Sequence, residues 1–135
     1  MSVGVEDQRR RANRWRATVA LVFQAAGIPA ESRPAARRAS EELFGNKPDV
    51  SGVPGVHIVA SPIAWSRVSN YLSRAVLAAD ERGLGDVPVL VIPHQQHDPA
   101  DAYVVMRLCD FAKLALDAHR GRSQATDADL TAAEV

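Results

Sequence analysis

Cysteine is nearly absent from this sequence, because Cys109 is the single one among 135 residues. A lone thiol excludes a disulfide within the chain, and we expect a reducing, intracellular compartment. Long apolar runs are also missing, since no stretch approaches the roughly 18–20 residues that span a bilayer. The N-terminus lacks the apolar stretch of a signal peptide. We therefore expect a cytoplasmic protein with no membrane partner.

Lysine is scarce and the charges are unevenly spread, although the net charge is +0. Residues 1–47 carry nine basic and five acidic side chains, and residues 48–135 carry seven and eleven. The front third therefore has an excess of positive charge, most of it from arginine. Such an asymmetry permits a local anionic partner, nucleic acid included, without making the whole molecule a polycation.

The hydrophobic pattern predicts alternating helices and strands. The predicted elements are helix 8–26, strands 31–33, 48–52 and 55–61, helix 64–82, strands 87–93 and 102–107, and helix 108–119, with a helical turn or two at 34–43. The order α-β-β-β-α-β-β-α predicts an α/β fold with a mixed central sheet flanked by helices. We expect a flexible start at 1–7, a single domain at 8–120 and a flexible acidic tail at 121–135.

Apolar side chains at helical spacing predict which face of each helix turns inward. These residues are Trp15, Val19, Val22, Phe23 and Ala26 in the first helix, Trp65, Val68, Leu72, Ala75 and Ala79 in the second, and Leu108, Phe111 and Ala115 in the third. The apolar run VPVLVIP at 87–93 is typical of a strand covered on both faces. Cys109 is expected in the core instead of acting as a reactive thiol.

Four segments in succession resemble one family. GNKPDVSGVPGVHIVAS at 45–61 resembles the stretch GD-I-x-G-I-P-G-x-x-I-E-V-K of small Holliday-junction-resolvase-like nucleases, which are common in phages and prophages of actinobacteria. Residues 62–80 resemble that family's second helix, residues 90–106 its late hairpin, and residues 9–33 its arginine-rich first helix and the following strand. The resemblance spans roughly residues 9–116. It implies a restriction-endonuclease-like fold of the PD-(D/E)XK nuclease superfamily.

The resemblance also implies a metal site. Most of the residues that form this site in the family are replaced in this sequence. Such nucleases hold Mg²⁺ or Mn²⁺ with an Asp and a Glu, and a Lys follows two residues after the Glu. Asp49 matches the Asp, whereas Val59 stands at the Glu and Ser61 at the Lys. Arg74 stands where the second helix usually has Glu or Gln, and no carboxylate occurs around Arg16, where the first helix supplies one. One carboxylate is a poor site for Mg²⁺, which prefers six oxygens, so we expect neither metal-dependent cleavage nor a cofactor.

Several residues allow other chemistry, and each has a structural alternative. Asp49 is either a relic of the metal site or a turn residue. His57 is either a replacement metal ligand beside Asp49 or a hydrogen-bonded structural histidine. The loop HQQHDPAD is either a metal cluster built on His94 and His97 or a polar hairpin loop. Ser61 as a nucleophile would need His57 as base and Asp49 as orienting group, and no nucleophile elbow surrounds it.

Arginines crowd the first helix and the segment that follows it. The expected DNA contacts are Arg9, Arg10, Arg11, Arg14, Arg16, Arg37 and Arg38. Guanidinium groups pair well with phosphate oxygens. The alternative is a solvated face that carboxylates close in sequence, such as Glu6 and Glu31, neutralise. Few aromatic residues lie among these arginines, so any DNA binding is expected to follow shape and backbone instead of base sequence.

Three functions from different classes remain open. The first is a catalytically inactive nuclease-fold module, encoded by a phage or prophage, that binds DNA or a protein partner. The second is an active metal-dependent endonuclease or resolvase with a rearranged site built on Asp49, His57 and either Glu41 or Glu42. The third is a structural protein of the phage head or neck, which associates with itself as a homo-oligomer. The first two belong in the cytoplasm of the bacterial host, and the third in the virion.

Overall fold

Glycine and proline residues separate the helices and strands, as their backbone preferences dictate. The computed structural model describes residues 2–34 and 47–133. Its helices are α1 (Ser2–Ala25), α2 (Val68–Arg82) and α3 (Leu108–Ala133), and its strands are β1 (Glu31–Ser32), β2 (Val50–Ser51), β3 (Val56–Ala60), β4 (Val87–Ile92) and β5 (Tyr103–Val105). Short 3-10 turns occur at Trp65–Arg67 and Pro99–Asp101.

The strands form one mixed sheet in the order β1–β2–β3–β4–β5. β1, β2 and β3 pair antiparallel in succession, β3 pairs parallel with β4, and β5 pairs antiparallel with β4. A parallel pair needs a crossover connection, and α2 supplies it between β3 and β4. The prediction of an α/β fold with a mixed sheet flanked by helices is confirmed.

The core lies on both faces of this sheet. On one face, Val19 and Ala20 of α1 belong to the same buried cluster as Ile58 of β3. On the other face, Ala75 of α2 and Leu90 of β4 are both completely buried. All six residues of β4 are buried, which confirms the strand expected from its continuous apolar run.

The first and third helices are longer than the sequence pattern predicts. α1 begins at Ser2, and an ion pair between Glu6 and Arg9 supports its early turns. α3 continues through Gly121 to Ala133, beyond residue 119, where the apolar pattern predicts that the helix ends. A glycine costs about 1 kcal/mol relative to alanine inside a helix, and the surrounding Ala, Arg and Gln residues favour helix. No helix in the described residues is both long and apolar enough to cross a membrane.

The prediction for the inward face of α3 is wrong. The exposed residues are Leu108 (81% exposed), Cys109, Phe111 (55% exposed) and Ala115. Asp110 is buried instead, and its carboxylate accepts a hydrogen bond from Arg107 Nε at 2.8 Å. Leu114, four residues further along the same face, packs against the core. The ion pair offsets the cost of burying the Asp110 charge, so this face of the helix can turn towards the sheet.

The start of the second predicted helix also differs from its prediction. Trp65 lies in a 3-10 turn that precedes α2, and its side chain is 62% exposed. The apolar stripe of α2 begins only at Val68, and Ala75 and Ala79 are its buried members. The helical turn predicted at 34–43 lies outside the described residues except for Pro34.

Candidate functional site

Asp49 lies immediately before β2 and forms hydrogen bonds with the segments on both sides of it, β3 and the end of β1. Its N–H donates to the carbonyl of Ile58 at 2.7 Å, and its carbonyl accepts the N–H of Arg33 at 2.8 Å. Its carboxylate Oδ2 accepts the N–H of Ala60 at 3.0 Å, and the residue is only 6% exposed. Asp49 is therefore a buried hydrogen-bond acceptor in the bend that precedes β2.

Two arginines bind the same carboxylate. Arg16 Nη2 of α1 lies 3.1 Å from Asp49 Oδ1, and Arg33 Nη2 lies 3.3 Å from that oxygen. Arg16 Nη1 also donates to the carbonyl of Arg33 at 3.1 Å, and Arg33 Nε donates to the carbonyl of Pro48 at 3.3 Å. We call Arg16, Arg33 and Asp49 the arginine–aspartate cluster. Its guanidinium groups compensate the carboxylate charge with fixed hydrogen bonds, as buried ion pairs require.

The positions that the family resemblance assigns to the metal site lie close together. Val50 pairs with Ile58, and the Asp49 carboxylate accepts the N–H of Ala60, the residue between Val59 and Ser61. Val59 is half-buried and has no lone pair for a metal. Ser61 is on the same face of the chain as Val59, and its N–H donates to the carbonyl of Val91 at 3.1 Å. One carboxylate is thus present among these three positions.

His57 is buried on the opposite side of β3 from the α1-facing Ile58. It is 1% exposed, and neither ring nitrogen has a hydrogen-bond partner among the described residues. Burial, followed by the charge of Arg82, lowers the pKa of His57, while Asp86 raises it and Arg33 lowers it by smaller amounts. The interpretation of His57 as a hydrogen-bonded histidine is therefore wrong for the described part of the chain.

The arginines of α1 divide into exposed and engaged side chains. The exposed ones are Arg10, Arg11 and Arg14, and no salt bridge joins them to a carboxylate of the described residues. Arg9 pairs with Glu6 at 2.6 Å, and Arg16 belongs to the buried cluster. Arg37 and Arg38 lie outside the described residues, as do Glu41 and Glu42. A cationic surface therefore covers the solvent side of α1 near its middle.

Arg74 faces solvent on α2. Its guanidinium carbon lies 5.4 Å from the centroid of the Tyr71 ring. This distance is within the range of a cation–π contact. Arg74 therefore adds positive charge beside Tyr71.

Sequence reasoning missed a cluster of aromatic and histidine rings at the surface. The centroids of Trp65 and Tyr103 are 5.2 Å apart, those of His94 and Tyr103 are 4.7 Å apart, and those of His94 and His97 are 3.6 Å apart. Gln96 adopts a left-handed conformation at φ 64°, and the turn lets the His97 N–H donate to the His94 carbonyl at 3.1 Å. We call Trp65, Tyr103, His94 and His97 the ring cluster. Its members come from two loops and an edge strand, so helical or strand periodicity carries no signal for it.

Two adjoining pockets lie beside the loop at 61–64. The first has a volume of about 430 Å³, and Arg11, Arg67, Gln8, Ser61 and Tyr71 supply its polar lining. The second has a volume of about 410 Å³ and is lined by Trp65, Tyr103 and His94 of the ring cluster. Ile63 and Ala64 line both pockets. The two pockets therefore both border residues 63 and 64 of that loop.

No group of three or more His, Cys, Asp or Glu side chains in residues 2–34 and 47–133 is placed to hold a metal ion. The two histidines of the HQQHDPAD loop stack on each other, with an interplanar angle of 11°. Comparison of the chain with protein-family models, with curated proteins and with solved structures finds no match.

Proposed function

We propose that this chain is a catalytically inactive nuclease-fold protein, of the PD-(D/E)XK and Holliday-junction-resolvase-like type, that binds DNA as a phage- or prophage-encoded module. The main support for the absence of catalysis is the arginine–aspartate cluster. Asp49, the one residue that matches the family's metal ligands, has its carboxylate bound to two guanidinium groups and a backbone N–H. These contacts give Asp49 the compensating positive charge that a metal would otherwise supply.

The donor set around Asp49 does not fit a divalent metal. Mg²⁺ prefers six oxygens in octahedral order, and several of them come from carboxylates, substrate phosphates and water. Val59 offers no oxygen, and a cation would have to displace Arg16 from a salt bridge in which both side chains are about nine-tenths buried. The rearranged site with His57 as second ligand gains no support either, because the Asp49 carboxylate is already bound to Arg16, Arg33 and the N–H of Ala60.

The order of the elements supports the nuclease-like topology. Within the described residues it runs α-β-β-β-α-β-β-α, with the parallel step between β3 and β4 spanned by α2. This is the arrangement expected from the family resemblance. Asp49 immediately precedes β2 and Val59 lies on the adjacent β3, at the positions that the resemblance assigns to the Asp and the Glu of the metal site.

The exposed arginines of α1 support DNA binding. Arg10, Arg11 and Arg14 are free of carboxylate partners among the described residues. Guanidinium groups of this kind bind phosphate oxygens and release condensed counterions, so affinity falls steeply with salt. This mode of binding recognises the DNA backbone and its shape, with little dependence on base sequence.

Fluorescence anisotropy with a four-way DNA junction and a linear duplex, at low and at physiological salt, tests the proposal. We expect binding by the wild-type protein, and a loss of about two units of salt slope in the double variant Arg10→Ala/Arg14→Ala. The matched control is Arg120→Ala/Arg122→Ala, which removes two exposed arginines from α3. An absence of binding, or an equal loss in the control, would contradict the DNA-binding function.

A further inference from the structure

Trp65 and Tyr103 are exposed in a way that the stability of the fold does not explain. Trp65 is 62% exposed and Tyr103 is 38% exposed, yet their rings contact each other. Large aromatic side chains normally gain stability by burial, and an exposed group of them marks a binding surface. The flat faces of Trp, Tyr and His are the surfaces on which nucleobases stack.

Cationic side chains line the pocket next to the one that these rings line. Arg11 of α1 and Arg67 of the 3-10 turn line the pocket that adjoins the ring cluster, and Ile63 and Ala64 are common to both pockets. Both arginines are exposed, and neither forms a salt bridge with a carboxylate of the described residues. Tyr71 and Ser61 add hydroxyl groups to the same pocket. A pocket of this composition suits a phosphate group.

The positive charge continues past this pocket along α1. Arg11 also lines a third pocket, of about 330 Å³, together with Arg14 and Pro99. Arg67, Arg11 and Arg14 therefore line two pockets that have Arg11 in common, and we call these three residues the arginine row. Asp98 and Asp101 lie in the neighbouring turn, where the Asp98 carboxylate accepts the N–H of Ala100 at 2.9 Å. A row of several guanidinium groups fits successive phosphates of a strand better than it fits a free nucleotide.

We propose that the ring cluster and the row Arg67, Arg11 and Arg14 together bind an unpaired strand of DNA. A base of the strand stacks on Trp65 and Tyr103, and the adjacent phosphates bind the arginines. Stacking of successive base pairs hides the faces of bases within a duplex, so the rings select for unpaired nucleotides, such as those of a gap, a flap or an opened junction. The inference rests on the proposed DNA-binding function and adds the form of DNA that is preferred.

Fluorescence anisotropy with a labelled oligothymidylate and with a duplex of equal length tests this inference. We expect Trp65→Ala to lower the affinity for the oligothymidylate about tenfold relative to the duplex, and Trp65→Phe to retain most of that affinity. Leu77→Ala is the matched control, because Leu77 lies on α2 and is also 62% exposed. Circular dichroism checks that each variant folds. Equal affinities of Trp65→Ala and Leu77→Ala for the oligothymidylate would overturn the inference.

Two further comparisons distinguish a failure of this inference from a failure of the proposed function. Wild-type protein that binds duplex and junction without a response to Trp65→Ala would leave the proposed function standing and remove the inference. Protein that binds the oligothymidylate through Trp65 but binds neither junction nor duplex would support the inference and contradict the resolvase-like part of the proposed function. Thymidine monophosphate is the competitor in the last arm. Competition at the same nucleotide concentration as the oligothymidylate would indicate a small-molecule pocket and overturn the assignment to a strand.

Discussion

Arg16 Nη2 lies 3.1 Å from Asp49 Oδ1, and both side chains are about nine-tenths buried. This salt bridge joins α1 to the segment before β2. The same carboxylate accepts the N–H of Ala60 on β3. The pair therefore stabilises the fold at the residue that the proposed function compares with a metal ligand of nucleases.

Removal of one partner of this pair should cost more than removal of both. Asp49→Ala leaves the Arg16 charge buried with less compensation, and we expect a loss of about 3–5 kcal/mol in the free energy of unfolding. The double variant Arg16→Met/Asp49→Ala should be more stable than the Asp49→Ala variant. We expect a coupling energy of about 1–3 kcal/mol between the two substitutions. Urea unfolding of the two single variants and the double variant measures the coupling. Losses that simply add would show that the pair contributes no stability.

Stability should fall in mild acid because of His57. Burial lowers the pKa of His57 from its ordinary value of 6.5, so the unfolded chain takes up a proton at a pH where the folded protein does not. The contribution of His57 to the free energy of unfolding is constant above pH 6.5. Below pH 6.5 it falls by up to about 1.4 kcal/mol per pH unit, until His57 is also protonated in the folded protein. The comparison is urea unfolding at neutral and at mildly acidic pH. His57→Leu should flatten the dependence, whereas the exposed control His119→Gln should keep it; an unchanged slope in His57→Leu would refute the assignment.

Leucine-to-alanine substitutions should separate the core from the outer face of α3. Leu90 of β4 is 0% exposed, whereas Leu108 of α3 is 81% exposed. We expect Leu90→Ala to cost about 2–5 kcal/mol and Leu108→Ala to change the free energy of unfolding by less than about 0.5 kcal/mol. Chemical denaturation of the two variants makes the comparison. A large cost at Leu108 would favour the inward face that the sequence pattern predicts for α3.

Gly52→Ala should destabilise the protein more than Gly85→Ala does. Both glycines have positive φ, at 83° and 74°, so an alanine at either position is strained. A Cβ atom at Gly52 would also overlap the carbonyl oxygen of Pro29, whereas a Cβ atom at Gly85 meets nothing within 4 Å. We expect the overlap to add about 1–3 kcal/mol to the cost. Thermal unfolding of both variants tests this, and equal losses would mean that the close approach beside β1 is absent.

The parts of the fold with strong local patterns were predictable from the sequence. The buried run of β4 has apolar residues at every position, and the stripe of α2 ends in buried Ala75 and Ala79. The rotation of α3 was not predictable from hydrophobic spacing, because it depends on the ion pair between Arg107 and Asp110. A pattern of apolar residues carries no information about which carboxylate finds a cation.

The candidate site was predictable only in part, for a similar reason. The resemblance drew attention to Asp49, Val59 and Ser61, and the hydrogen bond from the Ala60 N–H to the Asp49 carboxylate places them close together. The partners of Asp49 come from α1 and from the end of β1, and only the folded chain brings them to its carboxylate. Trp65 and Tyr103 are likewise distant in sequence and meet through the packing of a loop against an edge strand.

The most direct test of the account is a cleavage assay with purified protein, a four-way DNA junction and either Mg²⁺ or Mn²⁺. Because Arg16 and Arg33 hold the carboxylate of Asp49, we expect the junction to remain intact with both metals and at every protein concentration that binds it. Metal-dependent cleavage that disappears in Asp49→Asn, with folding of that variant verified by circular dichroism, would contradict the account and make the protein a nuclease.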